Sequence, residues 1–107
     1  MTETLLQQGS AATALFGCND EIAAGALYAA RKRELSVPQD LSIVGFENSP
    51  FSRQTWPGLT TVHQPNAEIA AQAASMLIAL MLEPEQPPAH CSIKLQLVLR
   101  DSVSSIN

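Results

Sequence analysis

Residues 13–46, TALFGCNDEIAAGALYAARKRELSVPQDLSIVGF, carry the pattern of a β-strand, an amphipathic helix and a second β-strand. The apolar runs 13–18 and 41–46 are typical of strands covered on both faces in a parallel sheet. Between them, over residues 20–35, apolar side chains recur at helical spacing and charged side chains take the opposite face. Pro38, which has no backbone N–H, ends this helix region. We therefore predict an α/β fold with a Rossmann-like βαβ unit and parallel strands.

The rest of the chain continues the alternation of helices and strands. Residues 48–58 are rich in Pro, Gly and short polar side chains and predict a loop around a short helical turn. A short strand over 59–64 and an amphipathic helix over 66–82, apolar on one side, are expected to follow. The Pro-rich residues 83–89 predict a turn, and the alternation over 93–100 predicts a last strand with one wetter face.

Composition limits the possible functions. The 107 residues fit one domain, and 46% hydrophobic with 15% charged residues is typical of a globular protein. The net charge of −4 argues against nucleic-acid binding by this chain. No apolar run approaches the roughly 18 to 20 residues of a membrane span, and the first ten residues lack the basic and apolar regions of a secretory signal. Cys18 and Cys91 are expected to be ordinary buried thiols in a reducing compartment.

Motifs of common cofactor and catalytic sites are missing. The sequence has no glycine-rich phosphate loop and no Gly-x-Ser-x-Gly nucleophile elbow. His63 and His90 lie in different segments, with no Cys or carboxylate at ligand spacing. We therefore expect no metal, no cofactor and no enzymatic activity.

Three polar residues form the best candidate site. Asn19, Asp20 and Glu47 follow the two predicted strands, and the carboxyl ends of parallel strands meet at one edge of a sheet. Carboxylates and an amide suit a ligand with many hydroxyl or amino groups, which must be paired once water is excluded. The alternative is that Asp20 only caps its helix, while Asn19 and Glu47 are solvated loop residues.

Four motifs together resemble the LacI/GalR family of bacterial transcriptional regulators. Residues 19–27 (NDEIAAGAL) are similar to the family's Asn-Asp-x-x-Ala-x-Gly segment, and residues 36–48 (SVPQDLSIVGFEN) to its Val-Pro-x-Asp motif with the following strand. Residues 57–65 (PGLTTVHQP) match Pro-x-Leu-Thr-Thr-Val-x-Gln-Pro, and residues 100–102 match the closing Arg-x-Ser. Their order and spacing cover most of the chain.

The resemblance implies a part of a periplasmic-binding-protein-like fold, in which two Rossmann-like lobes close on a small ligand. Residues 1–107 are then expected to be the carboxy-terminal part of the effector-binding and dimerisation domain, with no helix-turn-helix. Operator DNA would be bound only through an amino-terminal domain that the chain lacks. The implied partners are a small polar effector of the sugar or nucleobase type and a second copy or higher homo-oligomer. The implied compartment is the cytoplasm, with no membrane association.

The resemblance also implies roles for individual residues. Asn19 matches an effector-contacting amide, and Glu47 stands where the family usually has Asp. The extra methylene of Glu47 moves the carboxylate by about 1.5 Å, so the ligand preference of other members does not transfer. Gln64 and Asn66 fall at the family's lobe hinge, where members also touch the effector, although Asn66 matches the family's pattern poorly. The expected dimer surface comprises Ala24, Tyr28, Phe51, Gln54 and Thr55, with burial of Phe51 and Trp56 in a local core as the alternative.

Two other functions are compatible with parts of this sequence. A fragment of an exported sugar-binding protein would have the same fold, but the Leu-Thr-Thr-Val and Arg-Asp-Ser segments favour the regulator. An enzyme would use Glu47 and Asp20 as acid and base. Because a short chain would leave apolar surface uncovered, we also expect self-association and weak or absent effector binding by the chain alone.

Overall fold

A computed structural model describes residues 2–7 and 11–106 of the chain. The elements in order are α1 (Thr2–Gln7), β1 (Ala14–Phe16), α2 (Asp20–Lys32), β2 (Ser42–Val44), a 3-10 helix (Pro50–Arg53), β3 (Thr61–His63), α3 (Asn66–Leu82) and β4 (Gln96–Val98). These elements fall into two compact units. The first runs to His63 and resumes at Gln96, and the second is Gln64–Leu95.

The predicted βαβ unit is confirmed in the first compact unit. β1 pairs in parallel with β2, with Leu15 opposite Ile43, and α2 makes the connection between them. Both strands are shorter than the predicted runs. Backbone bonding nevertheless continues past their ends, since Gly17 donates to the Val44 carbonyl at 2.8 Å and Gly45 donates to the Thr60 carbonyl at 2.9 Å.

The core of the first unit lies between α2 and the strands. α2 contributes mainly small side chains to it, and β2 and its flanks contribute large ones; the buried apolar residues are Ala23, Ala26, Leu27, Ala30, Leu41, Ile43 and Leu59. Alanines let the helix approach the sheet closely. At Gly17 a Cβ atom would lie 2.7 Å from the Ala23 backbone nitrogen, so glycine is required in the connection between β1 and α2.

α2 ends at Lys32, before the predicted boundary near residue 35. Arg33 closes the helix by donating its N–H to the carbonyls of Ala29 and Ala30. Glu34 then adopts a left-handed backbone with φ of 60°, and Leu35 donates to the Ala30 carbonyl at 2.9 Å. The helix therefore stops by a left-handed turn of the chain, four residues ahead of the proline that predicted its end.

β3 extends the parallel arrangement and brings the carboxy-terminal segment alongside it. Isolated parallel bridges join Val44 to Thr60 and Glu47 to His63, and β3 pairs antiparallel with β4. Beyond β4, the backbone N–H of Ile43 donates to the Ser102 carbonyl at 2.8 Å. Both β3 and β4 are shorter than the predicted runs 59–64 and 93–100.

The second unit contains α3, whose bounds match the predicted helix over 66–82. None of its residues, all of which the structure describes, is buried. Its large apolar side chains are between 41% and 77% exposed at Leu77, Ile78, Leu80, Met81 and Leu82. The pattern thus predicted the helix correctly but says nothing about what covers its apolar side.

Two features differ from the sequence-based expectations. The helix α1 was not predicted; it contacts α2, and Lys32 Nζ lies 3.3 Å from Glu3 Oε1. Cys18 and Cys91 are free and exposed, so the expectation that both thiols are buried was wrong.

Within residues 2–7 and 11–106, no helix has both the length and the apolar character needed to cross a bilayer.

Candidate functional site

The candidate site lies where three parallel-running segments end. Asn19 follows β1, Glu47 follows β2, and His63 is the last residue of β3. Glu47 and His63 are bridge partners, and the Glu47 N–H donates to the Val62 carbonyl at 2.8 Å. Ligands of open α/β sheets bind in the crevice at this edge. The predicted site residues of the first unit therefore follow neighbouring strands, and ligand binding by them stays a prediction.

Asn19, and not Asp20, caps α2. The Asn19 side-chain oxygen accepts from the Ile22 N–H at 2.8 Å, and its backbone is extended, as is usual for an N-cap. The prediction of Asp20 as the cap was therefore wrong by one residue. Because the Asn19 oxygen is used by the helix, its amide N–H groups are the part of the half-buried side chain left for a ligand.

Asp20 is fully buried and joins three segments of the chain. Its Oδ2 accepts from the backbone N–H of Ser49 at 2.7 Å and from the Ser49 hydroxyl at 3.1 Å. Its Oδ1 accepts from the Thr61 hydroxyl at 2.6 Å. With both oxygens engaged, the carboxylate fixes the loop after β2 and the start of β3 to α2, which disfavours the alternative of an acid or base acting on a substrate.

Glu47 is exposed, and its backbone has a positive φ, which residues other than glycine rarely adopt. Its φ is 116°, and the next residue, Asn48, has φ of 58°. Such a conformation costs on the order of 1–3 kcal/mol per residue and persists only when surrounding contacts hold it. Within the described part of the chain, the Glu47 carboxylate makes no hydrogen bond or ion pair. It is thus a free acceptor held at the strand edge by its backbone.

Asn48, the residue after Glu47, is hydrogen-bonded to Arg100 and lies against His63. Arg100 Nη2 donates to Asn48 Oδ1 at 2.7 Å, while its Nη1 donates to the Ser52 hydroxyl at 2.9 Å and to the Leu59 carbonyl at 2.8 Å. The Asn48 amide nitrogen lies 3.1 Å from His63 Nδ1. Sequence reasoning missed Asn48 and Arg100 as parts of the site, although the motifs containing them, 36–48 and 100–102, had been identified.

Gln64 and Asn66 belong to the second unit. Gln64 is half-buried, and its carbonyl accepts from the Asn66 N–H at 2.8 Å. Asn66 is the exposed first residue of α3. Contact of these two residues with an effector stays a prediction.

A second surface of the first unit, here called the aromatic surface, lies between α2 and the 3-10 helix. One shallow cavity there is lined by all five residues predicted to form a dimer surface, namely Ala24, Tyr28, Phe51, Gln54 and Thr55. Leu27, Arg31 and Trp56 complete its lining. Tyr28 is 70% exposed, Phe51 45% and Trp56 82%. Burial of Phe51 and Trp56 in a local core is therefore excluded, and the dimer role stays a prediction.

Comparison with known proteins identifies the fold and its relatives. A family profile described as a periplasmic binding protein-like domain matches residues 2–103. The Lac repressor dimer bound to operator and the anti-inducer ONPF has a TM-score of 0.87 at 26% identity, over 97% of this chain and 36% of that one. A LacI family transcriptional regulator from Enterococcus faecium with bound ribose has a TM-score of 0.83 at 28% identity, over 99% of this chain and 40% of that one.

Curated relatives are repressors. The transcriptional repressor PurR of Pasteurella multocida is 39% identical over 101 residues, which are 94% of this chain and 30% of that protein. The ribose operon repressor of Haemophilus influenzae is 36% identical over 104 residues, 97% of this chain and 31% of that protein. The chain thus spans about a third of the length of the curated relatives it matches.

Proposed function

Because the chain belongs to the periplasmic binding protein-like domain family, we propose that it is the effector-sensing and dimerisation part of a LacI-type transcriptional regulator. The resemblance drawn from the four motifs agrees with the names of the relatives, which are repressors and LacI-type regulators. The proposal covers residues 1–107 as a carboxy-terminal part of the effector-binding domain. Contact with operator DNA would be made by a separate domain of the intact regulator, in the cytoplasm and away from membranes.

The effector we propose is a small polar molecule of the sugar or nucleobase type. The observation that carries this is the contrast between two carboxylates at one edge: Asp20 is buried and fully hydrogen-bonded, whereas Glu47 is exposed and unpaired among the described residues. The Asn19 amide, whose oxygen caps α2, offers N–H donors after the neighbouring strand β1. Gln64 and Asn66 would add contacts from the hinge. Ribose and cellobiose are bound in the LacI-family structure from Enterococcus faecium and in the regulator CelR, respectively.

In the intact regulator, the effector would act by a population shift. An effector that binds one arrangement of the two lobes more tightly than another shifts the equilibrium toward that arrangement. This shift would change the separation of two DNA-binding heads in a dimer and hence the affinity for operator. The aromatic surface is the proposed homodimer contact, since all five predicted residues lie there and exposed aromatic residues are typical of interface cores. No catalytic step and no cofactor belong to this proposal.

The proposal is tested by amide NMR of the chain titrated with ribose, cellobiose and a purine base. We expect weak binding of one of them, with shifts concentrated at Asn19, Glu47 and their neighbours. Glu47→Ala should abolish these shifts, while the matched control Glu85→Ala, which removes an exposed carboxylate from the Pro-rich turn, should not. Absence of any shift at millimolar ligand would show that this edge does not sense an effector in the chain alone. Shifts that survive Glu47→Ala would move the site elsewhere.

The alternative function is sugar binding as a fragment of an exported binding protein of the same fold. The relatives named above are repressors, and this favours the regulator.

A further inference from the structure

We propose that Arg100, acting through Asn48, holds His63 in the tautomer that carries its proton on Nε2. His63 then becomes a hydrogen-bond donor to the effector, at the strand edge where Glu47 is its backbone bridge partner. The tautomer follows from the hydrogen-bond geometry of this chain alone, and the contact with an effector rests on the proposed function.

The first step concerns the orientation of the Asn48 amide. A guanidinium group only donates hydrogen bonds. Arg100 is fixed by two further acceptors, the Ser52 hydroxyl at 2.9 Å and the Leu59 carbonyl at 2.8 Å, and Ser52 is fully buried. The atom of Asn48 that lies 2.7 Å from Arg100 Nη2 must therefore be the oxygen. The Ser52 hydroxyl, 3.5 Å away, also faces this oxygen.

The second step concerns the His63 ring. With the Asn48 oxygen turned to Arg100, the amide NH2 faces His63 Nδ1 at 3.1 Å. An amide NH2 group only donates, so Nδ1 must offer a lone pair. A neutral imidazole with an unprotonated Nδ1 carries its proton on Nε2. An Nδ1–H tautomer or an imidazolium would set two N–H groups against each other.

The third step concerns what this proton can do. Among the described residues, no group accepts a hydrogen bond from His63 Nε2, and the residue is exposed. Its bridge partner at the strand edge is Glu47, and its partner in β4 is the uncharged Gln96. Glu47 only accepts and Nε2–H only donates. A sugar hydroxyl both donates and accepts, so it complements this pair.

Ring-nitrogen NMR of the protein without any ligand tests the tautomer. His90→Gln leaves His63 as the only histidine, and long-range coupling spectra then distinguish Nε2–H from Nδ1–H. We expect Nε2–H in this background. Asn48→Asp keeps an acceptor for Arg100 and a residue type that tolerates a left-handed backbone, but it turns an acceptor toward His63. The proton should then move to Nδ1.

An Nδ1–H tautomer in the His90→Gln protein overturns the proposal without requiring any Asn48 variant to fold. An unchanged Nε2–H tautomer in a folded Asn48→Asp protein also overturns it. Arg100→Gln should loosen the orientation of Asn48 and produce a mixture of tautomers, whereas Arg53→Gln, an exposed arginine of the 3-10 helix, should leave a single tautomer.

Titration with ribose separates this inference from the proposed function. A contact predicts a shift of the Nε2–H resonance, and His63→Phe should bind ribose about tenfold more weakly, as expected for one lost hydrogen bond. Shifts at Asn19 and Glu47 without any at Nε2–H would overturn the contact while leaving effector sensing intact. Absence of shifts at all three with ribose, cellobiose and a purine would reject effector sensing by the chain alone, and the tautomer measurement would still decide the first part of the inference.

Discussion

At the scale of single residues, Asp20 and Glu47 show how environment divides the roles of two similar side chains. Asp20 lies at the start of α2 with no exposed surface and accepts from Ser49 and Thr61. Glu47 lies exposed on a left-handed backbone with its carboxylate unpaired among the described residues. The first carboxylate therefore stabilises the edge of the sheet, and the second is available to bind at it.

Replacing Asp20 tests its structural role. Asp20→Asn puts an amide NH2 group against at least one of its three donors and removes the charge, so we expect a loss of about 1.5–3 kcal/mol in the free energy of unfolding, measured by urea denaturation. Asn19→Ala removes only the helix cap and should cost about 1 kcal/mol. Asp101→Asn, at an exposed carboxylate, is the matched control. Equal stability of Asp20→Asn and this control would contradict the structural role.

The sequence predicted the edge but not this division of roles. Asn19 and Asp20 are adjacent and both are good caps, so local pattern cannot choose between them. The choice is made by Ser49 and Thr61, which lie 29 and 41 residues away and whose hydroxyls draw Asp20 inward. Long-range partners of this kind leave no periodic signal. The same holds for Arg100, which reaches Asn48 across 52 residues.

At the scale of elements, two glycines differ in whether their surroundings have room for a side chain. Gly45, just after β2, has no room because the start of α2 lies against it, whereas Gly25 within α2 has open space. A Cβ at Gly45 would collide with the Asp20 carboxylate and lie 3.0 Å from Leu59, whereas a Cβ at Gly25 in α2 meets nothing within 4 Å. We expect Gly45→Ala to lower the free energy of unfolding by about 1–3 kcal/mol through overpacking. Gly25→Ala should raise it by about 0.5–1 kcal/mol because alanine favours helix. Thermal unfolding of both variants checks the opposite signs, and a shared sign would contradict the packing.

Ser102 contributes two side-chain hydrogen bonds that hold the segment after β4 to the strands. The fully buried Ser102 hydroxyl accepts from the Thr60 N–H at 2.9 Å and donates to the Ile43 carbonyl. Ser102→Ala leaves a buried N–H unpaired, so we expect a loss of about 1–3 kcal/mol in urea denaturation. Ser105→Ala, at an exposed position near the end of the chain, should stay within about 0.5 kcal/mol of wild type. Ser102→Ala as stable as Ser105→Ala would rule out this link.

Element boundaries were predictable where local chemistry sets them. α3 has the predicted bounds because Pro65 and Pro84 flank a continuous run of good helix formers. α2 ends early because a left-handed Glu34, which no sequence rule marks, closes it. α1 has six residues, too few to show a helical period. The second half of α3, residues 76–82, is apolar around its whole circumference, and the sequence does not specify what covers it.

At the scale of the whole molecule, uncovered apolar surface predicts self-association. Exposed aromatic side chains gather on the aromatic surface, and exposed leucines recur along α3 and around β4. Soluble monomers rarely leave such extended apolar surface in water. Aromatic residues are enriched at the cores of interfaces, where burial of one large ring contributes much of the binding energy. The aromatic surface is therefore expected to make the specific contact, and the aliphatic side of α3 to add less ordered association.

Light scattering at micromolar concentration tests this expectation. The wild-type chain should have the mass of a dimer or a larger oligomer. A charge at the centre of the aromatic surface, in Tyr28→Asp or Phe51→Asp, must be desolvated when the surface is covered, so either variant should lower the mass. Leu80→Asp on α3 should remove only species larger than a dimer, and Glu85→Gln, an exposed residue of the Pro-rich turn, should change nothing. A strictly monomeric wild type would reject self-association. A dimer that persists in Tyr28→Asp and Phe51→Asp but dissociates in Leu80→Asp would assign the dimer contact to α3 and not to the aromatic surface.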